Sequence, residues 1–250
     1  MSGHSKWKTN KGKKMVADAK RGAMFTKLIK ELTVVARDGG GNPETNARLR
    51  AVMLKAKECN MPLENIKMAV KRGTGELPGV VYETVIYEGY GPGGVALLVE
   101  GLTDNKNRSS AELRNIMSKK GGSFAGAGSV SWMFTKKGYF LVEKSLAQED
   151  MLMDLVLEAG AEDLKSDDTN FEITTPVAAF EKVRQVLEEK GIKCQDAEVT
   201  MIPQSTIKVT GAEAKQLLSL VDALEEHDDV QQVYANFDIP DEILEESSNS

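Results

Sequence analysis

Cysteine and histidine are scarce: the 250-residue chain holds two of each. Cys59 and Cys194 lie far apart in the sequence, so no disulfide framework is expected and a reduced compartment is. Neither residue type recurs at zinc-ligand spacing. Aromatic residues make up only 6% of the chain. No run approaches the roughly 20 consecutive apolar residues that span a bilayer. The N-terminus is basic, but no apolar signal core of about 7–15 residues follows it. Arg21 is the sole arginine among the first 30 residues, which argues against an Arg-rich transit segment. These absences together predict a cytoplasmic chain with no membrane partner.

Charge is plentiful and unevenly placed. The net charge of −6 argues on its face against a polyanionic partner. Residues 1–80, however, carry 17 Lys and Arg against 7 Asp and Glu, a net of +10. The other 170 residues carry 15 against 31, a net of −16. Such asymmetry points to a module that grips a polyanion. The plainer alternative is a set of solvated helix faces.

Residues 1–14 show charge without apolar periodicity and read as an extended arm. From Phe25, the positions Phe25, Leu28, Ile29, Leu32 and Val35 or Ala36 keep helical spacing, ending at Asp38-Gly39-Gly40-Gly41. Asn42-Pro43-Glu44 has the form of a helix start, with Asn as cap and Pro at the first helical position. Leu49, Val52, Met53 and Ala56 supply that second helix with an apolar stripe. Met61-Pro62 opens a third helix, closed at Arg72-Gly73. Three short-linked helices make a small bundle, whose polar faces carry Lys20, Arg21, Lys27, Lys30, Arg48, Arg50, Lys55, Lys57, Lys67, Lys71 and Arg72.

After Gly73–Gly79 the character of the chain changes. Val81–Glu88 and Val95–Leu102 read as strands joined by the hairpin Gly-Tyr-Gly-Pro-Gly-Gly. Asn105–Lys120 reads as a helix, Gly121–Gly128 as a loop and Val130–Phe134 as a strand. Residues 138–202 then follow the order βαββαβ, a ferredoxin-like unit. Ser205–Val209, Ala212–Glu226 and Val230–Asn236 are expected to complete the sheet begun at residue 81. The predicted fold is therefore multi-domain α+β, an N-terminal three-helix domain followed by two α/β domains, the third inserted into the second. The expected boundaries are 1–75 for arm plus bundle, 80–136 with 204–240 for the second domain, 137–203 for the inserted one, and 241–250 for an acidic tail.

Catalytic motifs are hard to find. Gly89–Gly94 leads into a strand rather than a helix and contains Pro92, which has no N–H, so a nucleotide-phosphate loop is not expected. His227 lies in the acidic run Glu225–Asp229, where a cation site competes with a solvated turn, and the turn is the expectation. No serine sits in a nucleophile elbow. No catalytic residue, metal or cofactor is predicted. The arm offers other chemistry. Lys6, Lys8, Lys11, Lys13 and Lys14 are spaced by small residues and can track phosphates, while Trp7 offers a face for an unpaired base or a pin against the bundle. Asp104–Arg108 opens a helix, where Asp104 or Asn105 caps and Arg108 is open to a nucleic-acid contact.

Several segments resemble the YebC/PmpR family. They are Met1-Ser-Gly-His-Ser-Lys-Trp7, Asp18-Ala-Lys-Arg-Gly22 with Phe25-Thr-Lys27, and Gly39-Gly-Gly-Asn-Pro43, then Tyr87–Gly94, Asp104–Arg108, Gly128-Ser-Val130, Glu158–Asp163 and Tyr234–Asp238. The resemblance runs in order from residue 1 to about 240. It implies three domains, the N-terminal one helical and two α/β, set around a cleft. Bacterial members are described as transcriptional regulators that bind promoter DNA, a mitochondrial relative as a translational activator, and others as linked to stalled ribosomes. The resemblance thus implies a non-enzymatic nucleic-acid-binding regulator acting on DNA, with a ribosome-associated factor that binds rRNA or mRNA as the alternative. The residues expected at the interface are Lys6, Trp7, Lys8, Lys11, Lys13, Lys14, Lys20, Arg21, Lys27, Lys30, Arg48, Arg50 and Arg108. Nothing in the sequence specifies an oligomeric state.

Overall fold

The structure is a computed structural model that describes residues 18–167, 169–240 and Ile243, with the side chains of residues 18–21 left out. The expected arm, with Lys6, Trp7, Lys8, Lys11, Lys13 and Lys14, lies outside the described residues, as does most of the acidic tail. Among those described are seven α-helices and mixed sheets, an α+β chain with a helical N-terminal region followed by two sheet-containing domains.

Helix α1 (Asp18–Gly39) packs against α2 (Ala47–Glu58) and α3 (Leu63–Gly73). Their core holds Leu28, Leu32, Val35, Leu49, Val52, Ala56 and Ile66, the i, i+3, i+4 stripes that period 3.6 requires. The start of α2 differs from the sequence expectation. Asn42–Glu44 forms a turn, in which Asn42 Oδ1 accepts from the Glu44 amide at 2.9 Å. Asn46 is the cap instead, with its Oδ1 accepting from the Leu49 amide at 3.0 Å. Its Nδ2 donates to the carbonyls of Val35 and Gly40, both at 2.9 Å. One buried side chain thereby closes α1 and opens α2. Gly73 lets α3 approach α1, since a Cβ there would lie 2.3 Å from the Thr33 carbonyl oxygen.

The next sheet runs β3-β1-β2-β9, with β1 (Glu83–Tyr90), β2 (Ala96–Thr103), β3 (Ser123–Ala125) and β9 (Val230–Ala235), antiparallel throughout. Helices α4 (Lys106–Lys119) and α7 (Gly211–Glu225) cover one face, with Leu97, Val99, Leu113, Met117, Leu217 and Val221 in the core between. The other face buries Ala96 and Leu98 against Val130, Phe134 and Tyr234. Covering both faces explains why β2 is an almost continuous apolar run rather than an alternating one.

Between β3 and α7 the chain builds a second sheet, β5-β6-β4-β7, from β4 (Phe134–Glu143), β5 (Asp163–Ser166), β6 (Asn170–Thr175) and β7 (Cys194–Pro203). Helices α5 (Glu149–Ala159) and α6 (Phe180–Glu189) pack on it. Numbered within the unit, the order is 2-3-1-4, the ferredoxin-like arrangement. Phe140 and Phe180 stack at 4.7 Å. Gly138 admits that ring, because a Cβ there would meet Phe180 Cδ2 at 2.7 Å.

Two strand expectations fail. Val130–Phe134 is not a strand of the first sheet: residues 131–133 form a 3-10 turn, and Phe134 begins β4. Ser205–Val209 does not join that sheet either. Only β8 (Ile207–Lys208) forms, pairing in parallel with β10 (Phe237–Asp238) apart from it. No helix among the described residues is long and apolar enough to cross a membrane.

Candidate nucleic-acid interface

The cations of the helical region fall into two sets, exposed and inward-facing. Arg48, Arg50, Lys55 and Lys57 on α2 and Lys71 and Arg72 on α3 are exposed. Arg48, Lys55, Lys57, Lys71 and Arg72 have no acidic partner among the described residues, and Arg50 donates only to the Pro43 carbonyl, at 3.3 Å. Lys67 pairs with Glu64 at 2.9 Å, an exposed contact of little energetic weight. Lys20 and Arg21 lie on the first turn of α1.

Lys27 and Lys30 face inward, toward the corner between α7 and β9. The Lys27 ammonium donates to the carbonyl of Glu225, the last residue of α7, where the negative end of the helix dipole favours a cation. Lys30 is 7% exposed. It donates to the Asp228 carbonyl at 2.9 Å and pairs with Asp229 Oδ1 at 2.5 Å. The sequence places Lys30 on the phosphate-facing surface; burial and this ion pair give it a structural post instead. Arg37 adds a bond from Nη1 to the Tyr82 carbonyl at 2.7 Å.

Asp229 gathers the corner. Its Oδ2 accepts from Ser109 Oγ at 2.5 Å, Arg108 Nη2 at 3.0 Å and Thr103 Oγ1 at 3.1 Å. Burial pushes its carboxyl upward, and the Lys30 ammonium with the donors from Ser109 and Arg108 more than offsets that, holding it far below the usual carboxylate range. Arg108 also pairs with Asp104 at 2.7 Å, so its Nη2 is committed to two carboxylates. Asn105 is the cap of α4, its Oδ1 accepting from the Arg108 amide at 3.1 Å.

The acidic turn is therefore not simply solvated, since Asp229 is buried. His227 Nδ1 accepts from the Asp229 amide at 3.1 Å and Nε2 bonds Glu112 at 2.9 Å. Glu112, His227 and Asp229 bring possible ligand atoms within 4.8 Å of one another. The Asp229 oxygens already receive four donors, two of them cationic, so that trio is poorly suited to a metal ion. Burial and the nearby Glu188 and Asp196 push the Cys194 thiol up to about 11, which leaves it protonated and weakly nucleophilic at neutral pH. A shallow cleft of about 520 Å³ opens beside β3, lined by Arg114, Ser118, Gly122 and Phe124 among others. It holds no carboxylate, histidine or cysteine.

One built feature is not visible in the sequence pattern. Glu88 is buried, and its carboxylate accepts the amides of Gly128 at 2.7 Å, Val130 at 2.6 Å and Ser131 at 2.9 Å. Burial raises its carboxyl, and the three amides together lower it below its usual value. The loop so fixed presents Trp132, 67% exposed. An acidic residue between Tyr87 and Gly89 on a strand, with a glycine-rich loop some 40 residues on, is the available signal; the pairing itself is long-range.

An ion-paired corner thus joins the basic helical region to the first of the two sheet-containing domains. The chain belongs to the TACO1/YebC family. Residues 5–76 match the model described as the TACO1/YebC protein N-terminal domain, and residues 82–237 the one described as TACO1/YebC second and third domain. A protein of Dictyoglomus turgidum named "Probable transcriptional regulatory protein" is 55% identical over 99% of this chain and 100% of its own length. One of the same name from Syntrophus aciditrophicus matches to the same extent. The crystal structure of a conserved hypothetical protein, Aq1575 of Aquifex aeolicus, superposes with a TM-score of 0.77 at 45% identity, over 89% of this chain and 92% of that one.

Proposed function

We propose that the chain is a non-enzymatic regulator that binds nucleic acid through its basic N-terminal region, with DNA as the partner. The observation that carries this reading is the set of exposed cations on α2 and α3, Arg48, Lys55, Lys57, Lys71 and Arg72, which lack acidic partners among the described residues. Lysine and arginine placed this way neutralise phosphates without reading bases, so affinity arises here and sequence choice from shape or additional contacts. The arm residues Lys6, Trp7, Lys8, Lys11, Lys13 and Lys14, with Lys20 and Arg21, extend the same charge. The names of the relatives support regulation of transcription. The net −16 of residues 81–250 repels a polyanion from the rest of the chain and confines the contact.

A second reading, a ribosome-associated factor on rRNA or mRNA, draws on the exposed Trp132, which suits unpaired bases better than a duplex. Gel shifts on promoter fragments and co-sedimentation with ribosomes at moderate salt separate the two. Preference for a promoter over random duplex supports the first reading. Pelleting with ribosomes and no promoter preference overturns it in favour of the second.

A further inference from the structure

We infer that Trp132 and Tyr90 form a stacking site for an unpaired nucleobase, on a face of the molecule remote in sequence from the basic helices. The inference rests on the nucleic-acid reading above and specifies a strand state for part of the ligand. Trp132 is 67% and Tyr90 37% exposed. Neither belongs to the apolar cluster beside them, whose members Val130, Phe134 and Met133 come from the same segment. Packing therefore does not account for the indole.

Both rings are fixed by their polar ends. Trp132 Nε1 donates to the Ser129 carbonyl at 3.0 Å, and the Tyr90 hydroxyl donates to the same oxygen at 3.3 Å. That carbonyl is itself held, because Glu88 takes the amides on either side of it, at Gly128 and Val130. On the far side, Gln204 Nε2 donates to the Trp132 carbonyl at 3.2 Å. An exposed aromatic with its orientation already set loses little entropy when a flat ligand stacks on it.

The segment that carries Trp132 also carries a cation. Lys136 is exposed and, unlike its neighbour Lys137, which pairs with Glu162, has no acidic partner among the described residues. Two residues along β4 from Phe134, it shares that residue's face of the strand. It pairs in register with Met201, which packs on the same cluster. An exposed cation four residues along the chain from Trp132 suits a nucleotide ligand, whose phosphates a lysine can meet while its base stacks. A base inside a duplex has both faces covered by its neighbours, so the site selects single-stranded segments.

The chain has two tryptophans, Trp7 and Trp132. In a Trp7→Phe background, indole fluorescence therefore reports Trp132 alone, while anisotropy of a labelled strand reports binding independently. The probes are a 12-mer of uridylate and a DNA duplex of equal length. Quenching is expected with the uridylate strand and none with the duplex. In the same background, Trp132→Ala weakens uridylate binding about tenfold and leaves the duplex affinity and the melting temperature unchanged, and Trp132→Phe restores most of the loss. Binding by anisotropy without quenching, or with Trp132→Ala equal to its parent, overturns the stacking site and leaves the proposed function standing. No anisotropy change with either probe overturns both.

Discussion

Lys30 and Asp229, 199 residues apart in sequence, form a buried ion pair at 2.5 Å that joins helix α1 to the turn before β9. Their side chains are 9% and 5% exposed. Breaking such a pair from one side leaves an uncompensated charge and costs about 3–5 kcal/mol. Asp229→Ala should therefore destabilise strongly, because it strands Lys30 and also unbonds Thr103, Ser109 and Arg108. Lys30→Met should cost less, since Asp229 keeps three donors. Chemical denaturation of the two variants checks that ranking.

The same carboxylate makes stability depend on pH. The folded state holds Asp229 below its ordinary pKa. Its contribution is complete above the unfolded value of about 4 and is lost as pH falls through the depressed folded one. The stability gap between the native chain and Asp229→Asn should be widest near pH 6 and shrink below about pH 4. Denaturation at a series of pH values measures it.

Glu172 has the opposite sign. Burial raises its carboxyl, although the Tyr139 hydroxyl donates to it at 2.9 Å. A raised carboxylate costs stability above its ordinary pKa. Glu172→Gln keeps an acceptor for Tyr139 and sheds the charge, so it should match or exceed the native melting temperature at pH 7 and lose that advantage near pH 4.

Glu88 organises a loop more than it holds a core. Glu88→Ala orphans three amides, each buried unmet donor costing about 1–3 kcal/mol where water cannot replace the partner. Hydrogen exchange should accelerate at residues 128–131 well before it does in β2. Uniform acceleration across both would contradict the local role.

Much of this fold is legible in the sequence, and the misses have physical causes. Helix period and the βαββαβ order reveal the bundle and the ferredoxin-like sheet, because both are local patterns. The cap of α2 is ambiguous in sequence because Asn42 and Asn46 are equally good cap residues; the carbonyls of Val35 and Gly40, brought near only by folding, choose Asn46. Val130–Phe134 has strand composition, but Glu88 draws off two of the amides around its start. Of the expected interface, charge patterning identifies the basic surface without showing which cations face inward. Lys30 reads like Lys55 until Asp229 arrives from the far end of the chain.

The central claim is that exposed cations of the N-terminal region grip phosphates. Its most direct test is the salt dependence of duplex binding by the full chain. With 6–8 phosphates engaged, log affinity should fall with log salt at a slope of roughly −5 to −7. Arg48→Gln with Lys55→Gln should make the slope shallower by about one unit for each cation removed. A shallow slope that neither this pair nor deletion of residues 1–14 alters would contradict the account.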